Sequence, residues 1–385
     1  MKKNIEDLQK CANCGACYNV CPTKAIRIDR EGLFYQPRVD AEKCISCSRC
    51  VRVCPLENPT ETPIPQKAIW GKSADKEVVR SSSSGGIFAL LAQKILDRDG
   101  VVFGAAFDDG CRSVSIKSTD EVSLSELKRS KYVESLVGDA FAKVKQALLE
   151  NRWVLYSGTP CQIAGLKRYL GKNHERLITC DFTCGGLPSH ALYEAHLQHL
   201  EEKYGAEVES VNFRPKTHGW SIHALRIDFK NQKKYVMPAV LDPFFCGFIR
   251  KHVNTRTACY TCRFEKYHES DIILADFWKY HAVIGDKHDN SGISLVLINT
   301  EKGERLITEI APLCELHDID LETASYNIRE RTYSDDYMKL RERYLLECEA
   351  GGLQQAAYLI GFPKGVRLLL ERLKFFVKGF KRKFQ

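Results

Sequence analysis

CANCGACYNVCP at residues 11–22 and CISCSRCVRVCP at residues 44–55 are one unit written twice. Cys11, Cys14, Cys17 and Cys21 lead into Pro22, and Cys44, Cys47, Cys50 and Cys54 lead into Pro55, each thirty-three residues after its counterpart. Three thiolates two residues apart can wrap one face of a four-iron, four-sulfur cube. The fourth, turned away ahead of a proline, serves the other cube. The spacing therefore assigns Cys11, Cys14, Cys17 and Cys54 to one 4Fe-4S cluster and Cys44, Cys47, Cys50 and Cys21 to a second. Gly15, Ala16 and Ser48 leave room beside the inorganic cores. A zinc ribbon needs four ligands in two pairs, whereas two identical sets of four stand here with no histidine in the pattern.

Working outward, residues 1–57 read as an α+β ferredoxin-like dicluster module, with AIRID at 25–29 and FYQPRVD at 34–40 as its strand pair. Pro59, Pro63 and Pro65 punctuate a linker at 58–68. Helix and strand signals then alternate. Apolar residues at Ile87, Leu90, Leu91 and Ile95 mark a helix from Gly86 to Arg98, and VVFGAAF at 101–107 a buried strand. A helix at Phe141–Leu149, a strand at 153–157, a helix at Gln162–Tyr169, a strand at 176–182 and a helix at Ser189–Tyr204 follow. This alternation predicts an α/β domain with a mainly parallel sheet. Residues 222–229 and 234–239 read as an antiparallel hairpin, 271–276 and 293–300 as further strands, and 321–385 as a helical, basic extension.

An apolar fraction of 44% suffices for a sizeable core. The formal charge of +8 is concentrated: from Gly361 to Gln385 eight Lys or Arg face Glu371 alone. Such a tail, with Leu and Phe among Lys and Arg at helical spacing, speaks to a membrane surface or an acidic partner, not to nucleic acid. No run of eighteen apolar residues suggests a spanning helix. The 17 cysteines and the absence of an export-type leader predict a reducing cytoplasm, at most peripheral to the inner face of the membrane.

Beyond the module, four stretches carry chemistry. SSSSGG at 81–86 opens a helix, where small residues let backbone N–H groups approach a phosphate; an ordinary helix cap reads equally well. SGTPCQIAG at 157–165 lies between strand and helix, where open α/β sheets bind ligands, and Cys161 at the helix start is expected to have a lowered thiol pKa. CDFTCGG at 180–186 and CYTC at 259–262 complete a set in which Cys161, Cys184, Cys259 and Cys262 can converge on a third 4Fe-4S cluster. Cys180 and Cys246 compete for that role but read better as packed side chains. His196 and His199, one helical turn apart, read as a half-exposed surface, and His218 as a loop residue near the substrate.

SSSSGGIFALLAQKIL, RSKYVES at 129–135, LYSGTPCQIAGLKRYL, CDFTCGGLPS, RTACYTCRF and ILADFW, in this order behind a dicluster module, resemble the signature blocks of the coenzyme F420 hydrogenase/dehydrogenase beta-subunit family. The resemblance implies an N-terminal-like domain at 69–150 and a C-terminal-like domain at 151–320. It implies FAD beside the cluster held by Cys161, Cys184, Cys259 and Cys262, and Ser84, Gly85, Gly86, Lys131, Gly158, Thr159 and Gln162 as the flavin surroundings. The activity implied is an oxidoreductase passing electrons between 4Fe-4S clusters and FAD, with hydride exchange to a deazaflavin carrier or an organic substrate. Reduced ferredoxin is a second carrier of the right kind. An electron-transfer subunit docked on a larger oxidoreductase is the alternative. Two departures stand out: Gly185 occupies the place where the family commonly has histidine, and the chain beyond about 320 lies outside the resemblance.

Overall fold

The strand pair expected beside the first cysteine unit forms a hairpin. In the computed structural model, which describes residues 4–8, 10–60, 64–285, 289–325, 328 and 331–381, β1 (Ile26–Glu31) and β2 (Phe34–Val39) pair antiparallel from Ile26↔Val39 to Glu31↔Phe34. Each cysteine unit also winds one short helix, Ala16–Val20 or Arg49–Arg52, entered through a left-handed residue, Gly15 at φ 78° or Ser48 at φ 57°. The repeat in the sequence is therefore a repeat in the backbone. Gly15 has no room for a side chain, since a Cβ there would lie 2.5 Å from the Val137 Cβ of the main body. The first cysteine unit rests directly on that body.

In chain order the body contributes β3 (Lys67–Ser73), β4 (Val101–Phe107), β5 (Val114–Ser118), β6 (Ser135–Leu136), β7 (Val154–Ser157), β8 (Leu177–Phe182), β9 (Val208–Asn212), β10 (Ala224–Phe229), β11 (Lys234–Pro238), β12 (Ile272–Asp276), β13 (Ser294–Ile298) and β14 (Cys314–Ile319). The predicted hairpin is β10–β11, and β9 extends it to three strands. The other nine form one sheet in the order β14-β3-β13-β12-β8-β7-β4-β5-β6. This sheet is mixed, which corrects the expectation of a mainly parallel one. β12, β8, β7 and β4 run parallel at its centre, but β4–β5, β12–β13, β13–β3 and β3–β14 are antiparallel. A parallel neighbour needs a crossover of a dozen or so residues, and the six between β4 and β5 allow only a direct return.

The expected helices form close to their predicted bounds as Ile87–Leu96, Ala140–Leu149, Pro160–Leu170 and His190–Tyr204. The first three are amphipathic and lay their buried residues on the sheet; the last is capped by the Ser189 hydroxyl, which accepts from Leu192 N–H, and ends at left-handed Gly205. His196 is not on a half-exposed surface. It is 3% exposed and lies 2.8 Å from the Asp242 carboxylate, inside the apolar cluster that also holds Tyr235 and Phe244. The extension is helical over Asp335–Ala350, Leu353–Leu359 and Gly365–Lys381, and Tyr344 and Cys348 join that same cluster. Among the described residues no helix is long and apolar enough to cross a membrane. Pro63 of the linker and the last four residues of the tail lie outside the described residues.

Candidate cofactor site

The twelve cysteines singled out by spacing surround three small cavities. Cys11, Cys14, Cys17 and Cys54 line the first, and Cys21, Cys44, Cys47 and Cys50 the second, so Cys21 and Cys54 each face the other unit's cavity. Cys161, Cys184, Cys259 and Cys262 line the third. They arrive from different elements: Cys161 from the first turn of helix Pro160–Leu170, Cys184 from the loop after β8, Cys259 and Cys262 from a 3-10 turn and its end. The Thr159 hydroxyl lies 3.1 Å from the Cys161 sulfur, and Gly186 N–H donates to the Cys184 sulfur at 3.4 Å. Burial pushes the Cys161 thiol up, as do the neighbouring Cys184 and Cys14, while Thr159 pulls it back. The lowering expected from the helix start is thus outweighed. Burial also raises Cys184, Cys259 and Cys262. Such thiols ionise only when a positive centre compensates them. Among the described residues no group of three His, Cys, Asp or Glu is placed to hold a single metal ion; the thiols ring cavities, which fits a cluster better than one ion. Cys180, in β8, and Cys246, in helix Pro243–Ile249, are fully buried and face none of the three cavities.

The cavities adjoin in a series. Ala12 and Leu56 line both the first and the third, and a Cβ on Gly165 would come 3.2 Å from the Cys14 sulfur. Cys184, Gly186 and Leu187 line both the third and a larger cavity of about 280 Å³. That volume is near the lower end of small-molecule sites, which run from about 300 Å³ upward.

Two helices open at the larger cavity. Helix Ile87–Leu96 starts from Gly86 at φ 90° with no side-chain cap, leaving its first N–H groups free for an anion. Helix Pro160–Leu170 is closed by its own capping box: Thr159 N–H donates to Gln162 Oε1 at 3.0 Å, and Gln162 Nε2 to the Ser135 hydroxyl at 3.0 Å. Ser84, Gly86, Lys131, Gly158, Thr159 and Gln162 all line this cavity. Gly85 does not; it sits under the sheet edge, where a Cβ would meet the Gly71 carbonyl at 2.5 Å, and its N–H donates to the Ser294 hydroxyl. The Lys131 ammonium donates to the carbonyls of Glu126 at 2.6 Å and Lys128 at 2.8 Å. Burial, aided by Arg129, lowers it to about 7.

Several lining residues escaped the sequence reading: Arg129, Ser130, Tyr132, Phe248 and Asp276. Arg129 and Ser130 adjoin Lys131 and clasp the serine run, through Arg129 Nε to Ser81 O at 3.1 Å and Ser130 N–H to the Ser83 hydroxyl at 2.8 Å. Asp276 accepts from Arg214 at 2.8 Å and from the Trp220 ring N–H at 3.0 Å. His218 does not line the cavity; its ring meets Phe375.

Two buried ion pairs brace the thiol cavities, and neither had a local signal. Arg256, 2% exposed, pairs with fully buried Glu134 and donates to the Cys11 carbonyl at 3.0 Å and the Tyr35 carbonyl at 2.6 Å; Asn13 Nδ2 reaches Glu134 at 3.0 Å. Burial pushes the Glu134 carboxyl up while Arg256 pulls it down. Arg331, from the extension, pairs with Glu265 and donates to the carbonyls of Cys184 at 3.2 Å and Gly185 at 3.3 Å.

Residues 10–58 match the 4Fe-4S dicluster domain, and residues 151–322 match the family described as the C terminus of the coenzyme F420 hydrogenase/dehydrogenase beta subunit. The chain joins a 4Fe-4S dicluster domain to the C-terminal domain of those beta subunits. It is thus an iron–sulfur protein related to a family of oxidoreductase beta subunits. The beta-subunit match holds Cys161, Cys184, Cys259 and Cys262, and the dicluster match all eight cysteines of the repeat. No curated protein matches the chain. A chain of the F420-reducing NiFe hydrogenase complex from Methanosarcina barkeri is similar at 16% identity and a TM-score of 0.45, over 75% of this chain and 95% of that one. That likeness is too distant to bear on function.

Proposed function

We propose that the chain is an iron–sulfur flavoprotein oxidoreductase. The observation that supports it is the series of adjoining cavities, in which the third thiol cavity shares Cys184 with the larger one and Ala12 and Leu56 with the dicluster module. In this reading Cys11, Cys14, Cys17 and Cys54 hold one 4Fe-4S cluster, Cys44, Cys47, Cys50 and Cys21 a second, and Cys161, Cys184, Cys259 and Cys262 a third. FAD in the larger cavity supplies the exchange between two-electron hydride chemistry and one-electron steps.

The chain's own groups then have definite work. The open N-terminus at Gly86 receives the cofactor's phosphates. Ser84 and Gly158 line the wall, while Thr159 and Gln162 hold the neighbouring helix start rigid. Lys131, poised near neutrality, provides a positive charge that strengthens as pH falls. Gly85 acts beneath the wall, by letting the serine run lie flat on the sheet edge. The Arg256–Glu134 pair keeps the dicluster module against the third thiol cavity.

The hydride partner in this reading is a deazaflavin of the coenzyme F420 type or an organic substrate, and reduced ferredoxin is a candidate electron carrier. All seventeen cysteines are free, which suits a reducing compartment, and the basic tail suits work beside the inner face of a membrane. The test offers the anaerobically purified protein reduced methyl viologen and a deazaflavin, and follows deazaflavin absorbance. Turnover is expected. Reduction of the iron–sulfur chromophore without turnover of the deazaflavin, or of other hydride carriers offered in its place, would leave only the electron-transfer subunit.

A further inference from the structure

Helix Gly365–Lys381 has two unlike faces. Leu368 packs on the body's apolar cluster, and Phe375 meets His218 at 4.6 Å between ring centroids, so positions 368 and 375 turn inward. On the opposite side, at i, i+3, i+4 and i+7, Val366, Leu369, Leu370 and Leu373 are 71%, 59%, 52% and 59% exposed. A surface helix ordinarily turns such a stripe toward its core. Exposed Lys364, Arg367 and Lys374 flank the stripe, within a segment of eight basic residues against one acidic.

We infer that this face is where the protein rests on an anionic lipid surface, an inference that builds on its placement beside a membrane and assigns the residues. The stripe from Val366 to Leu373 covers about 10 Å of helix axis at 1.5 Å per residue, which suits a helix lying in the plane of the headgroups. A second copy of the chain is the poorer occupant. Four aliphatic side chains fall far short of the ~800 Å² per partner that a stable interface buries. Two copies meeting there would also bring two strongly basic segments together, whereas anionic headgroups neutralise that charge.

The test is flotation of the anaerobically purified holoprotein with vesicles of phosphatidylcholine alone and of phosphatidylcholine mixed with phosphatidylglycerol. Two double variants run alongside, Leu369→Asp with Leu370→Asp and Arg367→Glu with Lys374→Glu. The wild type floats with the anionic vesicles only, and either variant lowers that binding at least about tenfold, as does high salt. All four substituted side chains face solvent, so both variants keep the wild-type iron content and circular dichroism. Failure of the wild type to float with anionic vesicles, or equal flotation of all three proteins, overturns the inference. So does a change from dimer to monomer in the Leu variant with no vesicle binding by the wild type. Iron and flavin in the same samples report on the redox reading separately: vesicle binding by a protein without flavin would remove that reading and leave this one standing.

Discussion

Replacing Glu134 with Gln isolates the buried charge that holds the dicluster module in place. Arg256 and Glu134 are 2% and 0% exposed, and Arg256 also donates to the carbonyls of Cys11 and Tyr35 in the module. Removing one partner of such a pair strands the other in a low dielectric, which costs about 3–5 kcal/mol, or roughly a hundredfold to a few thousandfold in the opening equilibrium. Gln keeps the shape and the contact with Asn13, so the loss is one of charge. The assay is amide hydrogen exchange of segments 10–20 and 129–135 in the anaerobic holoprotein. Protection in both is expected to fall by at least about a hundredfold, while a double variant, Glu134→Leu with Arg256→Met, recovers much of it, because apolar replacement of both partners is often nearly neutral. A loss below about tenfold, or a double variant worse than either single one, would refute the reasoning. Gly15 against Val137 and Asn19 on Gly138 would then carry the docking by themselves.

Cys184→Ser is expected to remove about four irons of about twelve, and Cys21→Ser to disturb the cluster of Cys44, Cys47 and Cys50 instead of that of its own unit; iron analysis and electron paramagnetic resonance read both. Because Lys131 titrates at about 7, binding of FAD to the flavin-free protein is expected to weaken as pH rises above that value, by at most ~tenfold per pH unit, and Lys131→Met to flatten the profile; fluorescence titration measures it. Burial works to raise the Asp242 carboxyl, but His196, Phe245 N–H and the Tyr235 hydroxyl together hold it below its ordinary 3.8. A depressed carboxyl stabilises the fold above that value and loses the contribution as pH falls through the folded pKa, so acid unfolding followed by tyrosine fluorescence should steepen below about pH 3.8 in the wild type and not in Asp242→Asn, which is also less stable near neutrality by ~1–3 kcal/mol.

What could be read from the chain was whatever a short window encodes. The cysteine spacing is set by the cube it must wrap, and the helices by a 3.6-residue apolar stripe. The strand, turn and helix of SGTPCQIAG places Cys161 without any knowledge of the rest. Sheet order is encoded nowhere locally. β3 and β14 pair at one side of the sheet though they lie far apart in sequence, and a buried strand such as β13 looks alike whether it runs parallel or antiparallel, so the mixed sheet could not be foreseen. His196 looked exposed because its burial comes from Asp242, beyond its own helix. Arg256 with Glu134 and Arg331 with Glu265 join residues 122 and 66 apart, and a single Arg in a sequence does not announce a buried carboxylate. Gly85 and Gly86 read as equivalent; the backbone separates them, one turning under the sheet edge and the other opening a helix.

The central claim is that three clusters and one flavin stand in series in a single chain. The measurement that bears on it most directly is iron, acid-labile sulfide and flavin per chain in anaerobically purified protein, with visible spectra before and after reduction. About twelve irons, about twelve sulfides and one FAD are the amounts the account predicts. About eight irons and no flavin, from an intact preparation, would contradict it and leave a dicluster protein whose third thiol cavity holds nothing.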